Sequence, residues 1–374
     1  MIQEIFETQF QTSPASIWEA PGRVNLIGEH TDYNQGFVLP MAIENTTQVA
    51  VARNDKRFHR IYSANTDELI ESSSEELETA GWAKYPLGVI KLMGIQDQCF
   101  DIALSSDVPI GAGLSSSAAL ECSVASALNE LMNLGLERLQ LAKICQRAEN
   151  EVVGAPTGNM DQIASLFGKP DKAVFIDCQT EDIETIELGF EDANLQLMVI
   201  DTGTSHDLSD GDYGNRRTEC YSAAAALGLS SLRHLKSSEL AGIDELLSET
   251  ETKRARHIVT ENGRVLEAVQ AIRDRDFSAF GRLMTESHAS MRDDFEISTN
   301  ELDTAVEASL AAGALGARMT GGGFGGSAIA LIHTNDFQSV KTAVRDEFEK
   351  NGFKSPSIFS VQAADGARKL NYSK

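Results

Sequence analysis

Polar side chains crowd one short segment near the start of the chain, among glycine and apolar residues. The segment reads Pro21-Gly22-Arg23-Val24-Asn25-Leu26-Ile27-Gly28-Glu29-His30-Thr31-Asp32-Tyr33. Carboxylates and an imidazole can each hydrogen-bond to sugar hydroxyls, and an arginine can pair with a carboxylate or a phosphate. A polar loop between two strands is the simpler explanation, but the density of polar groups beside apolar ones favours a binding site.

A second segment, 108–121, has small residues that run directly into a predicted helix. Its glycines let backbone N–H groups approach a ligand closely, and a helix N-terminus favours negative charge. The serines Ser115, Ser116 and Ser117 add hydroxyls that can bind phosphate oxygens or Mg²⁺. A serine-capped helix start gives the same pattern, so this segment alone leaves both interpretations open. The chain has no Gly-x-x-x-x-Gly-Lys-Ser/Thr segment, which excludes a Walker-type phosphate loop.

Two carboxylates fall in apolar surroundings. Glu149 follows Leu141 and Cys145 at helical spacing, so it shares the apolar side of its helix. An unpaired buried charge is costly, and a magnesium ion would supply the partner. A salt bridge would do so equally well, and for this residue alone it is the simpler choice. Asp161 follows a glycine-containing loop, as either a catalytic carboxylate or a helix N-cap would.

A glycine-rich turn forms the last of the four segments, at 319–327. Five of the six residues from Gly321 to Gly326 are glycine, which is more than one tight turn requires. The excess indicates that another group packs against this backbone. An ordinary turn from a helix into a strand is the alternative.

Apolar periodicity predicts the elements that must position these segments. Strands are expected at 37–43, 47–52, 172–177, 195–201 and 327–332. Helices are expected at about 116–132, 137–153, 215–227, 253–273, 277–291 and 301–312. Strands mixed with segregated helices predict an α+β fold, with two domains at 1–190 and 191–374.

Bulk properties exclude several classes of protein. The 374 residues suit two domains, and no segment reaches the roughly 18 apolar residues of a membrane span. The net charge of −24 disfavours binding to nucleic acid or to anionic membranes. The N-terminus lacks the features of a signal peptide, and the five scattered cysteines form no C-x-x-C pair. We therefore expect a cytoplasmic protein without a disulfide framework or a zinc site.

Together the four segments resemble the motifs of the GHMP small-molecule kinases, and within them those of the galactokinases. Gly22–Tyr33 matches the galactokinase signature, and Gly111–Ala118 is similar to the nucleotide phosphate loop. Met319–Ser327 is similar to the third motif, in which position 327 is often cysteine; no loss of function is expected from the serine. The resemblance covers about residues 15–365, and its first motif is the most specific.

This resemblance implies an N-terminal domain like one domain of a ribosomal small-subunit protein, a ferredoxin-like C-terminal domain, and an active site between them. Asp161 would act as the base toward the anomeric hydroxyl, with Arg23 beside it. Sugar binding would fall to Glu29, His30, Thr31, Asp32, Gly158 and Tyr213. The ATP phosphates would be wrapped by Gly111, Ala112, Gly113, Leu114, Ser115, Ser116 and Ser117. The adenine pocket would include Ser63 and Trp82, and Mg²⁺ would be held by Ser117 and Glu149.

Two alternatives stay open at the level of sequence. A related kinase acting on N-acetylgalactosamine or arabinose would carry the same motifs, although the compact 29–33 segment favours plain galactose. A non-catalytic galactose sensor is the other, but sensors of this family have lost part of the serine-rich loop, which is intact here. Galactose and ATP are the expected partners, without nucleic acid or membrane, and a monomer is expected.

Overall fold

The computed structural model describes residues 1–73, 80–204 and 209–371. The helices in these ranges are α1 (Ile2–Phe10), α2 (Lys84–Leu92), α3 (Ser116–Leu131), α4 (Arg138–Arg147), α5 (Met160–Phe167), α6 (Ser209–Ala226), α7 (Glu249–Arg273), α8 (Phe277–Ser290), α9 (Asn300–Ala311) and α10 (Phe337–Lys350). The strands are β1 (Ser16–Asn25), β2 (Phe37–Val38), β3 (Pro40–Asn54), β4 (His59–Ser63), β5 (Glu68–Ser72), β6 (Cys99–Ser106), β7 (Lys172–Asp177), β8 (Asp182–Glu187), β9 (Leu195–Asp201), β10 (Gly316–Thr320), β11 (Ser327–His333), β12 (Ser357–Val361) and β13 (Arg368–Lys369).

The first half of the chain is built on a six-stranded sheet in the order β13-β1-β3-β6-β4-β5. Its pairs are antiparallel except for the parallel pair of β4 and β6. Alternate residues of β3 enter different cores: Val49 and Val51 pack on the α3 side, whereas Ala50 and Ala52 pack with α1. Helix α3, which starts at the serine-rich segment, is therefore fixed to the middle of this sheet.

The second half is built on the antiparallel sheet β10-β11-β9-β12. Met198 and Ile200 of β9 face a core formed with α7, α9 and α10. Leu197 and Val199 face another core that also contains Leu26 from the first motif. One hydrophobic core therefore spans the two halves of the chain and fixes the first motif against the second sheet. A third, three-stranded sheet, β2-β7-β8, completes the described structure.

The last described residues of the chain return to the first sheet. Strand β13 pairs with β1, and an isolated bridge joins Ile43 to Ala363. Within the ranges that the structure describes, no helix is long and apolar enough to span a membrane.

The α+β class and most predicted elements are confirmed, with two corrections. The strand predicted at 37–43 divides at Leu39, whose backbone turns aside to bond with Leu26 and Ile27 at 3.1 and 3.0 Å. Beyond it β3 runs unbroken through the predicted gap at 44–46. The helix predicted at 137–153 changes after Arg147 into a π-helical turn, a distortion frequent at functional sites.

Candidate active site

A cavity of about 190 Å³ lies between residues of the first motif and the start of α5, from the first half of the chain, and residues of α6 and the glycine-rich turn, from the second half. Its lining residues are Arg23, Glu29, His30, Asp32, Thr157, Gly158, Met160, Asp161, Tyr213, Gly321 and Gly322. Pockets for drug-sized ligands typically measure about 300–1,000 Å³, so this cavity suits a smaller molecule.

A bidentate ion pair joins two of the lining residues, Arg23 and Asp161. Arg23 Nε and Nη2 each lie 2.7 Å from one oxygen of the Asp161 carboxylate. The remaining guanidinium nitrogen, Nη1, donates to the carbonyl of Gly113 at 2.6 Å. The side chain of Arg23 is buried, so this fork fixes the direction of the carboxylate.

Backbone contacts place Arg23 against the serine-rich segment. The Arg23 N–H donates to the carbonyl of Leu114 at 3.0 Å. A Cβ on Gly22 would lie 2.6 Å from that same oxygen, so only glycine permits this approach. Asp161 is the second residue of α5, and Asn159 occupies the N-cap position. The N-cap alternative for Asp161 is therefore wrong.

The serine-rich segment leads into the N-terminus of α3. Ser115 precedes the helix in a left-handed conformation with φ of 57°, which is costly for a residue other than glycine. Its hydroxyl donates a hydrogen bond to the Asp161 carboxylate. Ser116 and Ser117 form the first turn, where backbone N–H groups are free of helical partners and favour anions.

The glycine-rich third motif packs against this loop. Ser327 is fully buried, and its hydroxyl donates to the carbonyl of Ala112 at 2.7 Å. A Cβ on Gly321 would lie 2.9 Å from the carbonyl oxygen of Gly113. The predicted reason for the excess glycine, a group that packs on the backbone, is confirmed: Gly321 packs against the serine-rich segment, and Gly323 packs against Ile297.

Glu149 lies in the π-helical turn and is buried, as its helical spacing predicted. Its carboxylate accepts hydrogen bonds from Gln162 at 2.8 Å and from Thr157 at 3.1 Å, and also from Ser117. Burial raises its pKa, and the nearby Asp161 carboxylate raises it further. A cation at this place would relieve that repulsion.

The donors here fit magnesium. Ser117, Glu149 and Asp161 offer oxygen atoms alone, which hard cations prefer. Among the residues that the structure describes, no group of three or more His, Cys, Asp or Glu side chains could hold a metal. Mg²⁺ is ordinarily bound by one or two carboxylates together with substrate phosphates and water, so a closed protein cage is not required.

Asp32 and Gly158 are in contact with each other in the lining of the cavity. A Cβ on Gly158 would lie 1.9 Å from Asp32 Oδ2, so the carboxylate packs directly on the glycine backbone. Burial raises the pKa of Asp32 to about 6, and the Asp161 charge contributes to this increase. Near neutral pH this carboxylate is therefore ionised and able to accept hydrogen bonds from hydroxyl groups.

His30 has both ring nitrogens bonded to protein groups. Nε2 lies 3.0 Å from the carbonyl of Gly322, which can only accept, so Nε2 carries the proton. Nδ1 then accepts from the Tyr33 hydroxyl at 2.7 Å. Burial lowers the pKa of His30 to about 3, which agrees with a neutral ring. Tyr213 lies 4.8 Å from the His30 ring and closes the cavity from α6.

Of the predicted site residues, Gly111–Ser117 and Glu149 lie outside the cavity lining, and so do Thr31, Ser63 and Trp82. Thr31 is fully buried, with its hydroxyl 2.8 and 2.6 Å from the carbonyls of Gly28 and Phe37, so it supports the loop. Ser63 ends β4 and pairs in register with Glu68 of β5. Trp82 Nε1 donates to the Glu68 carboxylate at 2.8 Å. Ser63 and Trp82 are thus brought together at the β4–β5 hairpin.

Several residues of the site were missed by sequence reasoning. Thr157 and Gln162 hold the Glu149 carboxylate, and Arg318 pairs with Glu29 at 2.5 Å. Gln162 stands next to Asp161 and Arg318 next to the glycine-rich motif, and this adjacency is the one signal that pointed to them.

Comparisons with known proteins define the class of this fold and site. Residues 84–169 match the model of the GHMP kinases N terminal domain, and residues 268–350 match GHMP kinases C terminal. The solved Methanococcus jannaschii mevalonate kinase has the same fold, with a TM-score of 0.63 at 20% identity over 93% of this chain and 98% of that one. The chain is thus a two-domain GHMP kinase.

The comparisons then select one family within that class. Residues 4–53 match the galactokinase galactose-binding signature. The galactokinase of Streptomyces coelicolor is 45% identical over 99% of this chain and 98% of its own length. The crystal structure of Lactococcus lactis galactokinase complexed with galactose superposes with a TM-score of 0.93, at 34% identity and 98% coverage of both chains. The chain belongs to the galactokinase family.

Proposed function

We propose that this chain transfers the γ-phosphoryl group of ATP to the anomeric hydroxyl of D-galactose, giving galactose 1-phosphate and ADP. The observation that carries the proposal is the Arg23–Asp161 pair, which lines the small cavity and is bonded to Ser115 at the start of α3. Sugar and phosphate would meet at this carboxylate. The family membership and the galactose held by the Lactococcus lactis relative support the choice of sugar.

In the proposed reaction, Asp161 accepts the proton of the anomeric hydroxyl while that oxygen bonds to the γ-phosphorus. The bond between the γ-phosphorus and the β–γ bridging oxygen breaks, and its electron pair leaves with ADP. Arg23 holds Asp161 in orientation and places positive charge beside the developing negative charge. Positioning and charge stabilisation supply most of the catalysis in phosphoryl transfer.

The nucleotide would lie along the residues 111–117, with its phosphates at the N-terminus of α3. We propose that Ser117 and Glu149 hold Mg²⁺, which when bound would offset the charge of the β- and γ-phosphates. Ser63 and Trp82 are proposed for the adenine pocket, supported by their proximity at the β4–β5 hairpin.

On the sugar side we propose that Glu29, Asp32 and the Gly158 backbone bind hydroxyl groups, with Tyr213 and His30 shaping the wall. Thr31 would act indirectly, by supporting the loop. We also propose that the protein is a cytoplasmic monomer and that its two domains divide near residue 190.

The decisive test is ADP release with galactose, glucose, N-acetylgalactosamine and arabinose, each with and without Mg²⁺. Galactose with Mg²⁺ should give the highest kcat/KM, and turnover should vanish when Mg²⁺ is chelated. A higher kcat/KM with another sugar would assign the enzyme to that sugar. Galactose binding without ADP release would instead indicate a sensor.

A further inference from the structure

Arg318 is the largest side chain that is fully excluded from solvent among the described residues. It lies in β10, three residues before the first glycine of the third motif. Its Nη2 lies 2.5 Å from Glu29 Oε2, and its Nη1 donates to the carbonyl of Asn25 at 3.3 Å. A charged group from the second half of the chain thus supports a cavity-lining carboxylate from the first.

Other donors complete the surroundings of Glu29. The Asn25 side-chain amide donates to Oε2 at 2.7 Å, and the backbone N–H of Gly321 donates to Oε1 at 2.9 Å. Burial raises the pKa of Glu29 to about 7, and the Arg318 charge opposes this increase. The Gly321 N–H opposes it too, so loss of the guanidinium would raise the pKa of Glu29 further and favour the neutral carboxyl group.

A second buried carboxylate, that of Glu261, lies 3.6 Å from the same Nη2 of Arg318. Glu261 has donors of its own: Arg264 at 2.8 Å, Ser287 at 2.6 Å and the Gly28 N–H at 2.9 Å. The short contact of Arg318 is therefore the one to Glu29. Buried ion pairs seldom stabilise a fold more than apolar residues of similar volume, so stability alone does not explain this arginine.

We propose that Arg318 is a positioning residue for sugar recognition, which fixes the Glu29 carboxylate so that it accepts a hydrogen bond from a galactose hydroxyl. The inference rests on the proposed function, because Glu29 meets a sugar only if the cavity binds one. Arg318 itself does not line the cavity, whereas Glu29 does. Removal of Arg318 lets the carboxylate rotate or take up a proton, and either change weakens galactose binding while leaving the nucleotide site intact.

The test is a double-mutant cycle with Arg318→Lys and Glu29→Gln, measuring kcat, the KM values for galactose and for ATP, and the Tm. Arg318→Lys should raise the galactose KM by about tenfold or more, because a lysine lacks the two-pronged geometry of the guanidinium. The ATP KM should change by less than about twofold. The effects of the two changes should be far from additive, since Arg318 acts through Glu29.

Arg254→Lys is the matched control. Arg254 is also a buried arginine with two carboxylate partners, Glu219 at 2.6 Å and Glu296 at 2.8 Å, but none of these residues lines the cavity. The Arg254→Lys substitution should lower the Tm without raising the galactose KM. If Arg318→Lys does not fold, Arg318→Met combined with Glu29→Gln removes both charges, and its galactose KM should equal that of Glu29→Gln alone.

Two outcomes would overturn the inference. One is a folded Arg318→Lys enzyme with an unchanged galactose KM. The other is an Arg318 effect that persists in full in the Glu29→Gln background. Both outcomes are judged by comparison with the wild-type enzyme, which must phosphorylate galactose. If the wild type does not phosphorylate galactose, the proposed function is wrong, and the role of Arg318 is not what has failed.

Discussion

The carboxylate of Asp161 accepts hydrogen bonds from two side chains, Arg23 and Ser115. These partners come from the end of β1 and the start of α3, so the carboxylate is fixed from two directions. Its orientation is set before any ligand arrives. Such preorganisation is what a proton acceptor in phosphoryl transfer requires.

Asp161→Asn should lower kcat by about 10²–10⁴-fold, because asparagine keeps the shape but cannot accept a proton. Galactose affinity, measured by calorimetry, should stay within a few-fold of the wild type. Asp177→Asn is the matched control, since it alters an Arg–Asp pair of 3.0 Å on β7, outside the cavity. Near-normal turnover in Asp161→Asn would remove the assignment of a base.

His257 provides a pH-dependent contribution to stability. It is fully buried on α7, where Nε2 lies 3.1 Å from the carbonyl of Glu29 and Nδ1 lies 3.0 Å from the Ser290 hydroxyl. Burial lowers its pKa from 6.5 to about 4. Between these values the unfolded chain binds a proton that the folded chain does not, so stability falls as the pH is lowered.

We expect His257→Gln to flatten the decline in unfolding free energy between pH 6.5 and 4, by up to about 1.4 kcal/mol per pH unit. Urea unfolding at half-unit pH intervals measures this slope. At pH 7.5, where His257 is neutral in both states, the variant should lose unfolding free energy only because glutamine packs less well than histidine. Parallel slopes for the variant and the wild type would contradict the assignment.

At the scale of elements, the loop before α3 and the glycine turn between β10 and β11 form one unit. Ser327 bonds to Ala112, and Gly321 packs against Gly113. The carbonyl of Gly326 also accepts from the Thr202 hydroxyl at 2.7 Å, which ties the turn to the end of β9. The second sheet thereby sets the conformation of a loop that belongs to the first half.

Ser327→Ala should raise the ATP KM several-fold, because it leaves the buried Ala112 carbonyl without a donor, at a cost of about 1–3 kcal/mol. The galactose KM should remain unchanged. Ser327→Cys should retain most activity, since a thiol fills the space and donates weakly. Equal changes in both KM values for Ser327→Ala would indicate general unfolding rather than loss of loop support.

At the scale of the whole molecule, a shared hydrophobic core and a large net charge have opposite effects on stability. The core shared by both halves, which includes Leu26 and Val199, holds the cavity walls together. The net charge of −24, from 32 basic and 56 acidic residues, opposes compactness through self-repulsion and must be overcome locally wherever an anionic nucleotide binds.

The Tm should therefore rise when KCl is increased at pH 7.5, because the Debye length falls from about 10 Å at 0.1 M to about 3 Å at 1 M. The increase should shrink toward the isoelectric point of about 4.6, where the net charge approaches zero. Scanning calorimetry at pH 7.5 and at a pH near 4.6, each at low and high KCl, measures both effects. A Tm that is flat or falls with salt at pH 7.5 would show that screened ion pairs outweigh the repulsion.

The sequence by itself determined the motifs, the α+β class and most element positions. Helices α7, α8 and α9 were predicted within four residues of their observed ends, and β7 and β9 at their observed bounds. These features depend on local information: apolar periodicity, glycine positions and the polar groups of one short segment. The buried position of Glu149 also followed from its helical spacing.

Only the tertiary structure decided which groups meet. Arg318 and Glu29 are 289 positions apart, and their contact depends on how two sheets share one core. The same packing directs both nitrogens of His30 to protein partners and turns Thr31 away from the cavity. Local patterns specify which side chains can do chemistry; their geometry is fixed by burial against distant strands, which no short window of sequence contains.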